Sequence, residues 1–197
     1  SDSGSAGTLT LGNAAAESSG GTLNANVTLQ SDSQMTVEAG SFTVDKITAT
    51  EGTVAVNAGA NLTTTQDFTV GDAINNKTGT IDAAGSITAG KVDLQQGTVA
   101  VTGSLTANEL SVGTSNKEGT VNAAGTVDVD TLNLNKGNVE VTGSLTAKTL
   151  TVGDSDAKIA VGAADSAGTL TAEDVKLGGA SLMLDPAWED GSTIQTA

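Results

Sequence analysis

Apolar and polar residues alternate along most of this chain, in short bursts interrupted by glycine, serine or asparagine. From Gly97 the pattern reads GTVAVTGSLTANELSVG. Val99 and Val101, then Leu105 and Ala107, then Leu110 and Val112 fall on one side of an extended backbone, with Thr98, Ala100, Thr106 and Ser111 on the other. Successive side chains of a strand leave opposite faces, so period-two alternation marks half-buried strands. Helices are hard to place anywhere. Gly103, Gly113 and Asn116 break the bursts, and their tolerance of positive φ suits tight corners. Each unit therefore predicts three short strands.

The units repeat. Gly97 to Glu118 and Gly137 to Lys158, forty positions on, are identical at thirteen of twenty-two positions. TGTIDAAGSITAGKVDLQQ from Thr78 maps onto EGTVNAAGTVDVDTLNLNK from Glu118 at the same offset, so two unequal units of about twenty residues alternate. A finer motif recurs as SFTVDKITA from Ser41, SITAGKVDL from Ser86, SLTANELSV from Ser104, TVDVDTLNL from Thr126, SLTAKTLTV from Ser144 and TLTAEDVKL from Thr169. NLTTTQDFTV from Asn61 fits with one inserted residue, and NVTLQSDSQMTV from Asn26 is a looser version. A unit this small cannot bury its apolar side alone, whereas stacked copies place Val on Val and Leu on Leu. The fold class that follows is all-β: a parallel β-solenoid of about 20-residue coils with three short strands per coil. An antiparallel sandwich also uses many short strands, but Asn-Gly or Asp-Gly hairpin turns are nearly absent. Nine or ten coils at roughly 4.8 Å each would make a rod on the order of 45 Å long.

Residues 1–197 read as one domain, with 1–180 as stacked coils and 181–197 as a C-terminal cap or junction. No linker-like stretch interrupts the middle. The spacing stretches at Asp72 to Thr78 and at Ala163 to Gly168, which predicts longer loops at coil corners. In the tail, Leu182 and Leu184 suit one last strand, Asp185-Pro186 breaks the ladder, and Trp188 is placed to fold over the end.

Composition narrows the chemistry. Eight Lys+Arg against 23 Asp+Glu give a net charge of −15, which repels nucleic acid and anionic lipid surfaces. The absence of His and Cys removes structural zinc, disulfides and the Ser-His-Asp and Cys-His nucleophile systems. No apolar run is long enough to span a bilayer, and the first residues lack the parts of a signal peptide, as in a mature or excised piece of a longer chain. No glycine pattern supports nucleotide binding.

Two sets of side chains are left. The carboxylate pairs Asp128 with Asp130, Glu173 with Asp174, and Asp154 with Asp156 are candidates for acid–base work or a weak calcium site, with solvated charge as the plain alternative. A carbohydrate-active enzyme would need several carboxylates converging in a groove with a lysine such as Lys91 or Lys148. The hydroxyls form S/T-x-T pairs: Ser86 and Thr88, Ser104 and Thr106, Ser144 and Thr146, Thr169 and Thr171. Two files of hydroxyls on an outer face would suit a water-ordering, ice-binding surface, or simply reflect threonine's preference for strands. Asp128 and Asn61 interrupt the files.

The GTVAVTGSLTANELSVG style of repeat, poor in Cys and aromatics, resembles the passenger regions of bacterial type V autotransporter adhesins, and the closing DAKIAVGAADSAGTLTAEDVKLGGASLMLDPAWEDG looks like a unit that recurs in large repetitive passengers. That resemblance implies a right-handed β-helix displayed outside a Gram-negative outer membrane, as a fragment without its barrel and signal sequence. It implies a non-enzymatic adhesin stalk that binds a host or bacterial surface ligand, glycan or protein, or copies of itself. No catalytic, metal or individual binding residue is assigned. No cofactor is expected beyond weak calcium, nor any nucleic-acid partner or membrane insertion by this segment. The alternatives are the carbohydrate-active β-helix enzyme and the ice-binding solenoid.

Overall fold

The computed structural model describes residues 6–15, 20–153, 156–163, 165–178 and 193–196. No helix forms among them. Strands of four or five residues, such as Gly97–Val101 and Gly119–Ala123, build an eight-stranded sheet. Longer strands, mostly of nine residues such as Ser104–Val112 and Thr126–Leu134, build a second sheet. Within each sheet every strand pairs in parallel with the equivalent strand of the next turn. The result is a β-solenoid of about eight turns. The only antiparallel bridges among the described residues lie inside loops, Asp72 to Lys77 and Ala163 to Ser166.

The three apolar bursts of each unit all face inward. The first is the short strand. The second and third are two arms of one bent nine-residue strand: in Ser104–Val112, Leu105, Ala107, Leu110 and Val112 are buried while Asn108 and Glu109 both face out. Two consecutive outward residues re-aim the strand, and the ladder steps over Asn108, pairing Ala107 with Val129 and then Glu109 with Thr131. Where the sequence carries an extra residue, the bend opens and the arms become separate strands, Asn61–Thr64 and Phe68–Val70.

Register makes columns. Val99 lies between Ile81 and Val121, which continues to Val139 and Ile159. Leu110 lies between Val92 and Leu132, which continues to Leu150. These side chains are all but fully buried. Branched aliphatics of similar volume stacked at roughly 4.8 Å fill a narrow interior without aromatic bulk. Among the described residues Phe68 is the one fully buried aromatic, in the turn whose bend has opened, with Phe42 partly buried against the core. Among the described residues, Val175 and Leu177, 37% and 50% exposed, are the last members of their columns, and Thr193–Thr196 pairs with Thr169–Ala172. Leu182, Leu184, Pro186 and Trp188 lie outside the described residues.

Among the described residues the turns number about eight, against the nine or ten expected. Turns of 18 residues (Gly79 to Gly97) alternate with turns of 22 (Gly97 to Gly119), and the extra residues go into corners rather than coils. Residues 95–96 and 135–136 cross the second-to-first-sheet corner in two residues, whereas 113–118 takes six and 71–78 takes eight. The eight levels of the first sheet span seven spacings, on the order of 34 Å. Gly113 turns with φ +70, as expected for a corner. Gly103 is a glycine for another reason. It stands in a stack with Gly85, Gly125 and Gly143, and a Cβ on each upper member would overlap the carbonyl oxygen of the glycine below. Adjacent turns approach there backbone to backbone.

Gly125→Ala is expected to cost about 1–3 kcal/mol by overpacking a backbone contact that cannot yield, whereas Gly90→Ala, with open space around it, leaves the urea midpoint nearly unchanged. Thr64 is 4% exposed in a position that Val44 fills one turn earlier, and its hydroxyl has no hydrogen-bond partner. Thr64→Val is expected to raise stability by about 1 kcal/mol in the same assay, by removing an unmet hydroxyl.

Candidate functional site

The outer side of the second sheet's first arm carries the S/T-x-T pairs. Parallel register turns them into two files. One runs from Ser41 through Ser86, Ser104, Thr126 and Ser144 to Thr193. The other runs from Thr43 through Thr88, Thr106 and Thr146 to Gln195. The levels lie roughly 4.8 Å apart and the files about 7 Å apart. Neither file is free in the same way. The first is partly buried and bonds to itself, Ser104 Oγ donating to Ser86 Oγ at 2.9 Å and Asn61 Nδ2 to Ser41 Oγ at 3.1 Å. Thr88, Thr106 and Thr146 of the second are exposed. Asp128, paired with Thr106 and Thr146, is the one charged residue in these two files among the described residues.

The candidate carboxylates do not come together. Asp128 and Asp130 share strand Thr126–Leu134, and Asp130 makes an ion pair with Lys148 of the next turn. The hydrogen bond to Asp130 holds the Lys148 ammonium above its ordinary range. Glu173 and Asp174 lie two turns beyond, at the exposed bend of Thr169–Leu177. Asp156 pairs with Lys136 at 3.3 Å in a corner, and Asp154 lies outside the described residues. Among the described residues no three acidic side chains gather at metal-ligand distance.

Lys91 is different. On the second arm, Lys91 and Glu109 are register partners in adjacent turns, and their side chains meet at 3.0 Å. Glu109 also accepts Ser111 Oγ at 2.8 Å and Asn133 Nδ2 at 3.5 Å, and Asp93 accepts Gln95 Nε2 at 2.9 Å. These groups sit beside an open groove of about 490 Å³ that includes Lys91, Asp93, Ser111, Thr114, Asn135 and Gly153 in its lining. The corner 113–118 forms its wall. The Thr114 N–H donates to the Lys117 carbonyl at 2.8 Å and its Oγ1 accepts the Lys117 N–H at 3.1 Å, which makes the wall a closed turn. Lys117 Nζ reaches Asn76 Oδ1 of the eight-residue corner at 2.6 Å, bracing one long corner against the other.

Electrostatics keeps the Lys91–Glu109 pair charged. The Ser111 hydroxyl and the Lys91 ammonium hold the Glu109 carboxyl below the usual carboxylate range, and the hydrogen bond to Glu109 lifts Lys91. General acid–base work at neutral pH needs values driven toward neutrality. Here both are driven away, and the pair stays ionised. Apart from Lys91, the sequence reasoning missed these residues. The available signal was Lys91 and Glu109 eighteen positions apart, the same place in consecutive units. Comparisons with known families, curated proteins and solved structures found no match to this chain.

Because Glu109 is held low, the stability it contributes is present above its unfolded value and lost as pH falls through the folded one. In NMR titration its midpoint is expected below that of a free glutamate, moving up in Ser111→Ala and in Lys91→Met.

Proposed function

We propose that this chain is a non-enzymatic extracellular adhesive rod, a stalk or passenger segment at a Gram-negative cell surface, which adheres to surfaces or to copies of itself through a lateral face. One observation carries the reading: two in-register files of short hydroxyl side chains cover one face of a rod with a single aspartate among them, on a chain of net charge −15. A partner can engage every level at once only if its own hydrogen-bonding groups repeat at the same roughly 4.8 Å spacing, and a second copy of the chain does so by construction. With one aspartate in its two files, this face carries little charge to oppose such an approach. Autotransporter passenger identity and outer-membrane display rest on the repeat resemblance. A chain without cysteines that folds turn by turn is compatible with export in the unfolded state.

The carbohydrate-active enzyme is favoured by the convergence of Lys91, Glu109 and Asp93 and opposed by the ionised state of the Lys91–Glu109 pair. The ice-binding surface is favoured by the two files and opposed by Asp128 at their centre and by hydroxyls that bond one another.

Sedimentation velocity over a concentration series tests the proposal, run at physiological salt with and without calcium. The weight-average sedimentation coefficient is expected to rise with concentration, and Thr106→Arg with Thr146→Arg is expected to hold the protein monomeric. A wild type that stays monomeric throughout and binds no cell surface overturns the reading.

A further inference from the structure

The groove beside corner 113–118 lies on the second arm of the nine-residue strands, apart from the hydroxyl files. Its lining advances one turn at a time: Lys91 and Asp93, then Ser111 and Thr114, then Asn135, then Gly153. Four consecutive turns span three spacings, roughly 14 Å along the rod. The groove is therefore elongated along the axis, with polar side chains from three consecutive turns and the backbone of a fourth. We infer that it binds a linear, uncharged, hydroxyl-rich oligosaccharide lying parallel to the rod, one sugar ring per turn.

Three observations point to this chemistry. The groups on offer are a carboxylate, an ammonium, three hydroxyls (Ser111, Thr114 and Ser115) and an amide, which between them accept from and donate to sugar hydroxyls. The ammonium is already neutralised by Glu109, and Asp93 stands beside it, so a polyanionic chain gains no net attraction, least of all on a protein of charge −15. The third observation is the repeat. An extended peptide rises about 3.3 Å per residue and presents like-facing groups about 6.6 Å apart, losing step with the turns almost at once. A β-1,4-linked pyranose chain advances by close to one strand spacing per ring with successive rings turned over, so it keeps step with the turns and like faces recur at every second turn, as the long corners of this edge do. The volume of about 490 Å³ lies in the range of small-ligand sites.

The 40-residue period gives the groove its wall. Because only alternate turns carry a long corner at this edge, the six-residue loop 113–118 stands above the two-residue crossings 95–96 and 135–136 on either side. The hydrogen bond from Lys117 to Asn76 and the closed turn at Thr114 hold that wall in place before a ligand arrives, which lowers the ordering cost of binding.

The test is an NMR titration of the ¹⁵N-labelled chain with cellotetraose. Maltotetraose, whose α-linkages curl the chain, and an uncharged oligothreonine peptide serve as the other arms. Cellotetraose is expected to shift the amides of residues 91–93, 111–115 and 135 saturably, with maltotetraose about tenfold weaker. Asp93, whose side chain bonds only to Gln95, can be changed without disturbing the wall. Asp93→Ala is expected to weaken cellotetraose about tenfold, and Lys158→Ala on the opposite sheet to leave it unchanged. No saturable shifts, shifts confined to other faces, groove shifts produced by the peptide more tightly than by the sugar, or an Asp93→Ala protein that binds as the wild type does would each overturn the inference.

Discussion

The whole molecule depends on parallel pairing of each strand with its own equivalent one turn away. A ladder of that kind sets residue over residue, so whatever a position holds becomes a column. Inside, columns must be apolar and matched in size, because the interior is only one coil wide and nothing from elsewhere can fill a gap. The Leu110 column meets that demand with Val92, Leu132 and Leu150. Outside, the same register has no packing requirement but produces order all the same. The hydroxyl files and the Lys91–Glu109 pair are consequences of it, since side chains meet across turns only when the units agree in phase. Register is the cause, and both outer surfaces are its products.

Corners are where this order can be relaxed. The first-to-second-sheet corner is tight in four successive turns, and its glycine stack leaves no room for a Cβ between backbones. The opposite corner admits two residues or eight without moving a single inward side chain. A solenoid can therefore vary that edge freely while keeping its columns, and the 40-residue period is the trace of doing so on alternate turns. Loops on such an edge are braced by one another, as Lys117 and Asn76 are, and this lets a connection carry a defined shape on a scaffold whose stability lies elsewhere.

The architecture was legible because it is written in period two and repeated. Alternation fixed which residues of GTVAVTGSLTANELSV point inward, and repetition required copies to stack. Corner lengths were legible at Asp72 to Thr78 for the same reason. The merging of two bursts into one bent strand was not, since Asn108-Glu109 reads as a break in the pattern and acts as a continuous backbone turned outward twice. Nor was the role of Gly103, whose need for a missing Cβ arises from the turn below it and not from its own φ. The groove escaped because its members come from four turns and none is unusual alone. Ser111 became informative only once it was found 7% exposed beneath a charged pair.

The binding proposed for the hydroxyl face differs in kind from that proposed for the groove. In a groove, affinity comes from a few preplaced groups around one ligand, and each loss is felt separately. On a periodic face each level contributes a hydrogen bond worth about 0.5–1.5 kcal/mol net, while the loss of translational and rotational freedom, about 4–15 kcal/mol, is incurred once. Eight levels thus bring about 4–12 kcal/mol against that cost, which places a rod of this length near the threshold of association. A face of this kind binds weakly or firmly according to how many levels meet in phase, and a single mismatched charge at its centre, Asp128, weighs more than its own contact because it disturbs the levels on both sides. Length and register, rather than any one side chain, would set how strongly such rods hold together.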